Sequence, residues 1–153
     1  DAQMHRFREL VPEDKRIVIT ADHGHIDSPK NRRFRIDPSD ELNQMLESEP
    51  AGESRLLYFR VKDGYVEKFA ERFRARFGEH MFLFTTAEVL ELELLGPDGV
   101  SELAMARMGD FLAVTKGAYS IEICSDGEEQ MLLLDSTHGG MLPEEMLVPV
   151  IIA

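Results

Sequence analysis

Ile17-Val18-Ile19-Thr20-Ala21-Asp22-His23-Gly24-His25 is the stretch on which the reading of this chain turns. Its continuous apolar run, within the segment Lys15 to Thr20, predicts a buried strand of the parallel type. The residues that follow it are of a different kind. Asp22 and His23 are oxygen and nitrogen donors that together suit a divalent metal such as zinc. Neighbours on a regular strand point to opposite faces, so these two can share an ion only where the chain is already turning. Gly24 allows that turn, because it tolerates backbone angles other residues avoid. Open α/β sheets keep their chemistry at the carboxyl ends of their strands, which is where this motif falls.

The same order of elements returns near the other end of the chain. Thr137-His138-Gly139-Gly140 is followed by a short helical signal, Pro143-Glu144-Glu145-Met146, and by the strand-like Val148-Pro149-Val150-Ile151-Ile152. Gly139 and Gly140 would let the backbone approach a metal or a phosphate closely. Two histidine motifs at strand edges predict one composite site.

Between the motifs the pattern alternates. His5 to Leu10 has helical character and feeds the first strand, and Pro38-Ser39-Asp40 caps a helix from Glu41 to Leu46. Arg55 to Val61 reads as a strand, and Gly64 to Phe77 as a helix with Val66, Phe69, Phe73 and Phe77 on one face. Strands are expected at Met81 to Thr85, Phe111 to Thr115 and Ala118 to Cys124, with helices at Ala87 to Leu95 and Ser101 to Arg107. Asp126-Gly127 is a hairpin signal before Gln130 to Leu134. Ser48 to Ser54 is polar and the most linker-like stretch. The expected division is a core α/β segment over residues 1–29, an inserted mixed α+β unit over 30–130, and a second core segment over 131–153.

Composition narrows the function classes. The 153 residues, 43% of them hydrophobic, suffice for one domain with a real core, or a core piece plus an insert. A formal charge of −12 opposes a nucleic-acid polymer or an anionic membrane as the main partner. A single cysteine, Cys124, leaves no internal disulfide, and with no signal-peptide core at Asp1-Ala2-Gln3 the expected compartment is cytoplasmic. No apolar stretch approaches the roughly 20 residues of a membrane span.

Asp22-His23-Gly24 after a hydrophobic strand, with His138-Gly139-Gly140 and Glu145-x-x-Val148-Pro149 later, resembles the carboxyl-terminal portion of the alkaline phosphatase superfamily, closest to type I phosphodiesterase/nucleotide pyrophosphatase-like members. The resemblance implies an alkaline phosphatase-like α/β core sheet with an inserted cap that selects substrate. It implies two divalent metal ions, usually zinc, with manganese the alternative. Asp22 and His23 would then be ligands of one, and His138 a ligand of the other. It implies a small-molecule phosphate ester or nucleotide as substrate, cleaved by a phosphohydrolase or phosphodiesterase. The family's Thr or Ser nucleophile precedes the Asp-His-Gly motif, and it is not found among the residues before Asp22. The chain is therefore expected to be a fragment, inactive alone, whose partner is an upstream segment of the same enzyme. Unpaired sheet edges would also favour a homodimer. A PglZ-like domain or a phosphoglycerate mutase-like member of the same superfamily is the nearest alternative. A non-catalytic interaction module with relic metal motifs is the alternative from another class.

Lesser features are weighed in the same way. His25, two residues beyond the ligand pair, is a candidate for binding substrate phosphate, or it only lines the loop. Lys30, Arg32, Arg33 and Arg35 form a basic cluster that could hold a phosphate-bearing leaving group by forked contacts, or stand solvated. Asp1-Ala2-Gln3-Met4-His5 matches a family metal pattern, with chance the better explanation. His80 is expected at the surface, Gly109-Asp110 as a turn, the Phe69-Phe73-Phe77 stripe as core, and Cys124 as a buried spectator. Deleting residues 48–130 is expected to alter substrate preference more than metal binding.

Overall fold

The computed structural model of the chain describes residues 2–123 and 135–152. Cys124, the Asp126-Gly127 hairpin signal, the strand expected at Gln130 to Leu134, and Asp1 lie outside the described residues.

The packed centre of the molecule is a four-stranded antiparallel sheet with one long helix on its face. In chain order the elements are α1 (Ala2–Leu10), β1 (Val18–Ile19), β2 (Ile26–Asp27), β3 (Arg33–Ile36), α2 (Glu41–Gln44), β4 (Ala51–Glu53), β5 (Leu56–Phe59), α3 (Val66–Phe77), β6 (Met81–Thr85), α4 (Thr86–Glu91), α5 (Glu102–Met108), β7 (Phe111–Thr115), β8 (Ser120–Ile123), β9 (Ser136–Thr137), α6 (Pro143–Met146) and β10 (Ile151–Ile152). The large sheet has the order β4-β5-β7-β6.

β7 is buried at every position because it lies between β5 and β6. Its alternate side chains then serve two cores, as a period of two requires. Phe111 and Ala113 join Leu57, Phe59, Met81 and Leu83 under Phe69, Ala70, Phe73 and Phe77 of α3. Leu112 and Val114 turn the other way, against Val89 of α4 and Met108 of α5. Phe69, Phe73 and Phe77 are fully buried, as their spacing of four predicts. Val66, assigned to the same face, is exposed, and Ala70 holds the buried place instead. α4 begins in a reciprocal cap: Thr85 Oγ1 accepts from the Glu88 N–H while the Glu88 carboxylate accepts from the Thr85 N–H. It ends at Glu91, short of the expected Leu95, with Glu93 at a positive φ of 52°.

Several expectations are corrected by strand pairing. The Ser48 to Ser54 stretch is not a linker, since its second half is β4, paired antiparallel with β5 through Ala51↔Tyr58 and Glu53↔Leu56. β7 and β8 follow one another through Lys116-Gly117 yet do not pair; β8 instead runs parallel to β3 from Arg33↔Ser120 to Ile36↔Ile123. The first strand is not of the buried parallel type. Only Val18–Ile19 is extended, it pairs antiparallel with β10, and Val18 is 61% exposed. Its apolar run was a true signal of burial only at Ile17, the one residue of the three that packs inside.

Strand pairs among the described residues join like with like. β1 pairs with β10 and β2 with β9, all from residues outside the 30–130 span, while β3, β8 and the large sheet lie within it. Helix α1 buries no side chain, and Phe7, Leu10, Val18, Leu147, Ile151 and Ile152 leave an exposed apolar surface around it and the terminal strand pair. No helix is long and apolar enough to cross a membrane among the described residues.

Candidate metal centre

Two very short strands assemble the site. β2 and β9 are antiparallel with Ile26 opposite Thr137. His25 precedes Ile26 and His138 follows Thr137, so the register carried one step further sets the two histidines against each other across the ladder. His23 enters from the loop after β1. One ligand atom from each of His23, His25 and His138 lies within 4.8 Å of the others. The His23 and His138 rings are stacked, with centroids 3.9 Å apart and planes 17° from parallel. The His25 ring sits 5.2 Å from His23 and 5.0 Å from His138.

The geometry of His23 fixes which nitrogen is offered. Its Nδ1 is 2.9 Å from the Gly24 carbonyl, which can only accept, so Nδ1 carries the proton and Nε2 keeps its lone pair. That Nε2 stands 3.5 Å from Asp22 Oδ2. Two ligands sharing a tetrahedral ion at zinc distances are about 3.4 Å apart, so the pair already has a chelating separation. Asp22 Oδ1 accepts the His23 backbone N–H at 3.0 Å. That hydrogen bond, followed by the one from the backbone of Asp22 itself, holds the Asp22 carboxyl below its ordinary range. The Asp22 side chain is 87% exposed and open to a ligand or a second ion. Three imidazoles beside a carboxylate form a donor set that fits zinc.

Both loops are fixed by one residue of α6. The Gly24 N–H donates to the Glu145 carbonyl at 2.9 Å, and a Cβ at Gly24 would fall 1.8 Å from the Glu144 carbonyl oxygen. The Glu145 carboxylate accepts the Gly140 N–H at 2.8 Å and the Leu142 N–H at 3.4 Å. It also receives the Arg55 guanidinium in a two-pronged pair, Nε to Oε1 at 2.6 Å and one terminal NH2 group to Oε2 at 2.7 Å. Neither side chain is more than 1% exposed. The remaining Arg55 nitrogen donates to the Tyr119 carbonyl at 2.6 Å. Burial pushes the Glu145 carboxyl up, but the Arg55 hydrogen bonds, the Gly140 N–H and the guanidinium charge outweigh it and leave it below its ordinary value. Sequence reasoning missed Arg55, whose only signal was a lone cation at the head of a buried strand.

The glycines after His138 also make room for their neighbours. A Cβ at Gly139 would meet the Glu53 side chain at 2.6 Å, and one at Gly140 would meet Glu145 and Arg55 between 2.6 and 2.9 Å. Their smallness admits Glu53 of β4 and the Arg55–Glu145 pair to the loop. Ser54 and Thr137 hydroxyls, 3.1 Å apart, add a further tie between the two parts.

Other candidates separate from the site. His5 is exposed on α1 and 3.6 Å from Glu9. Arg33 donates to the Ser28 carbonyl and Arg35 to Asp37, so these two members of the basic cluster have partners inside the fold. His80 is not a free surface residue; it is half-buried and stacked 4.2 Å from Tyr119 and 5.3 Å from Phe34. Gly109-Asp110 is a turn, with the Asp110 N–H donating to the Phe59 carbonyl and its carboxylate accepting from Val61.

No family model matches the sequence, and no curated protein matches it. Solved structures do match its fold. Murine ectonucleotide pyrophosphatase/phosphodiesterase 5 superposes over 97% of this chain and 36% of its own, with 18% identity and a TM-score of 0.61. Its human counterpart covers 98% and 36%, with 20% identity and a TM-score of 0.59. Phosphonoacetate hydrolase from Sinorhizobium meliloti covers 99% and 38%, with 18% identity and a TM-score of 0.64. The chain thus spans little more than a third of the length of these structures. At such identities the likeness is one of fold: the chain has the fold of part of these structures, a fragment of an alkaline phosphatase-like fold.

Proposed function

We infer that the intact protein is a metal-dependent phosphohydrolase or phosphodiesterase acting on small phosphate esters or nucleotides. The observation that supports this most is the convergence of His23, His25 and His138, from two distant loops, within 4.8 Å beside Asp22. A structural role for three imidazoles would not call for a shared focus of lone pairs. Two divalent ions, zinc or manganese, complete the reading, with Asp22 and His23 on one and His138 on the other. His25, across the ladder from His138, joins them as a ligand or faces the substrate phosphate. When bound, such ions stabilise the charge that develops on the phosphoryl oxygens. The chain's own contribution is to fix the imidazole tautomer through Gly24 and to hold both loops on α6. Residues 1–29 and 131–153 form the metal-bearing part, with 30–130 as the substrate-facing cap.

The ligands of the fold neighbours support a small molecule bearing phosphoryl oxygens, a nucleotide in one case and phosphonates, which have a C–P bond in place of the ester, in the others. One murine structure is a complex with AMP, and those of the phosphonoacetate hydrolase hold phosphonoformate or phosphonoacetate. The nucleophile belongs to an upstream segment of the same enzyme, which would also cover the apolar surface of α1 and the terminal strands. Hydrolysis of nitrophenyl phosphodiesters by the intact protein tests the reading. His23→Ala should abolish turnover with the fold retained, and His138→Ala should lower the bound metal toward one ion per chain. Near-normal turnover of the first, or undiminished metal in the second, would defeat the assignment.

A further inference from the structure

The Arg55–Glu145 pair stands where three parts of the molecule meet. Glu145 grips the Asp22-His23-Gly24 loop by its backbone carbonyl and the His138-Gly139-Gly140 loop by its carboxylate. Arg55 comes from the head of β5 and spends all three of its nitrogens there, two on Glu145 and one on the Tyr119 carbonyl just before β8. We propose that Arg55 and Glu145 are positioning residues that set the geometry of the histidine centre. The proposal rests on the metal-site reading and adds to it a residue of the inserted sheet.

The physical case has three steps. A buried ion pair is poor evidence of stability, since well-packed apolar residues of similar volume often serve as well or better. Its two-pronged form does fix direction, because a guanidinium fork meets a carboxylate in one plane and at one distance. Here that direction is passed on within one hydrogen bond to Gly140, two residues from His138, and along one residue of backbone to the carbonyl that holds Gly24, next to His23. Gly140 is matched to the pair, since any side chain there would strike Glu145 or Arg55 below 3.0 Å. An interaction serving only to join two lobes would not need to enclose both metal loops.

The test uses this whole chain in two states. Without metal, the His23 and His138 ring-proton resonances report the stacked rings by their mutual ring-current shifts. With cobalt(II) as the probe, the visible d–d bands and a competition titration report ligand geometry and affinity. The variants are Arg55→Lys, which keeps charge but not the fork, and the apolar double variant Arg55→Met with Glu145→Leu, chosen to stay folded. Phe73→Leu, on the buried face of α3, serves as a control that lowers stability without touching the loops. Supporting variants weaken cobalt binding about 10–100-fold, the usual effect of losing a residue that orients ligands, change the d–d bands and move the ring resonances, while the control does none of these. The proposal is overturned if the folded double variant keeps the wild-type ring shifts and, where the wild type binds, its cobalt affinity and spectrum. If the wild type binds no cobalt, the ring resonances decide alone: their dependence on Arg55 upholds the positioning role, their indifference to it overturns it, and metal content of the intact protein tests the metal reading separately.

Discussion

Replacing Gly24 with alanine puts one methyl group where the structure has none to spare. The new Cβ would lie 1.8 Å from the Glu144 carbonyl oxygen, 2.9 Å from its carbon and 3.3 Å from the Glu145 Cα. All three are backbone atoms, so no side chain can swing aside. Real Cβ atoms essentially never come within 3.0 Å of such neighbours, and the loop must therefore withdraw from α6 by more than 1 Å, from 1.8 Å to at least 3.0 Å. That movement breaks the Gly24 N–H to Glu145 carbonyl bond, a loss of about 0.5–1.5 kcal/mol. Together with about 1–3 kcal/mol for overpacking the total should be about 1.5–4.5 kcal/mol, or roughly 3–18 °C in melting temperature for a chain of this size.

Metal binding should fall along with stability. Ligand distances at a zinc site are held to about ±0.2 Å, so carrying His23 away by more than 1 Å removes it as a ligand. Zinc affinity, measured by competition with a chromophoric chelator, should fall at least about 100-fold, following the general cost of a 1 Å displacement. Gly64→Ala is a control for backbone strain without steric clash: unlike Gly24 it has a positive φ, 81°, and no atom lies within 4 Å of the added methyl, so only backbone strain of about 1 kcal/mol is expected. If Gly24→Ala melts no lower than Gly64→Ala and keeps zinc affinity within threefold of wild type, the docking of the metal loop on α6 does not exist as described.

The carboxylate of Glu145 makes stability depend on pH in a definite direction. Its folded-state value lies below the ordinary 4.5, so its contribution is complete above about pH 4.5 and is lost as pH falls through the lowered value. The stability gap between wild type and Glu145→Gln in urea titrations should be flat from pH 8 to 5 and shrink below pH 4.5; a gap that widens on acidification would refute the assignment. Thr115 Oγ1 is the one buried side-chain polar atom without a protein partner among the described residues. Thr115→Val should raise stability by up to about 1 kcal/mol, and a fall in the thermal midpoint would show that the hydroxyl is satisfied.

The parts of the fold that were legible in sequence are those whose signal is local and repeated. β6 and β7 fall where the apolar runs Met81 to Thr85 and Phe111 to Thr115 place them, and α3 follows from aromatic residues every four positions. The meeting of the two histidine motifs was legible too, because each follows an extended run and is flanked by glycine, and the structure brings their rings together. What escaped was pairing. β2 and β9 have two residues each, too few to show any period, yet their ladder is what brings His25 to His138. β3 was read as a basic loop because arginines at alternate positions mask Phe34 and Ile36, which pack on the main core. Arg55 resembled the polar start of a strand, and nothing near it in sequence announces a carboxylate ninety positions away.

These ties reverse one expectation. Excising residues 48–130 takes Glu53 from beside Gly139, Ser54 from Thr137 and Arg55 from Glu145 in a single step. The Glu145 carboxylate would keep only its N–H partners at Gly140 and Leu142. A charge left unpaired in a buried setting costs about 3–5 kcal/mol, and the carboxylate must either draw water into the loop or abandon its place beneath His138. Metal binding should therefore be lost together with the inserted sheet, not merely retuned. The decisive comparison is the deletion alone against the deletion combined with Glu145→Gln, both measured by zinc calorimetry. The second removes the stranded charge and should regain folded structure without regaining affinity, because the fork that aims the loop is still missing. If the simple deletion binds zinc as well as the whole chain, the metal loops stand on their own and the inserted sheet is free to vary with substrate.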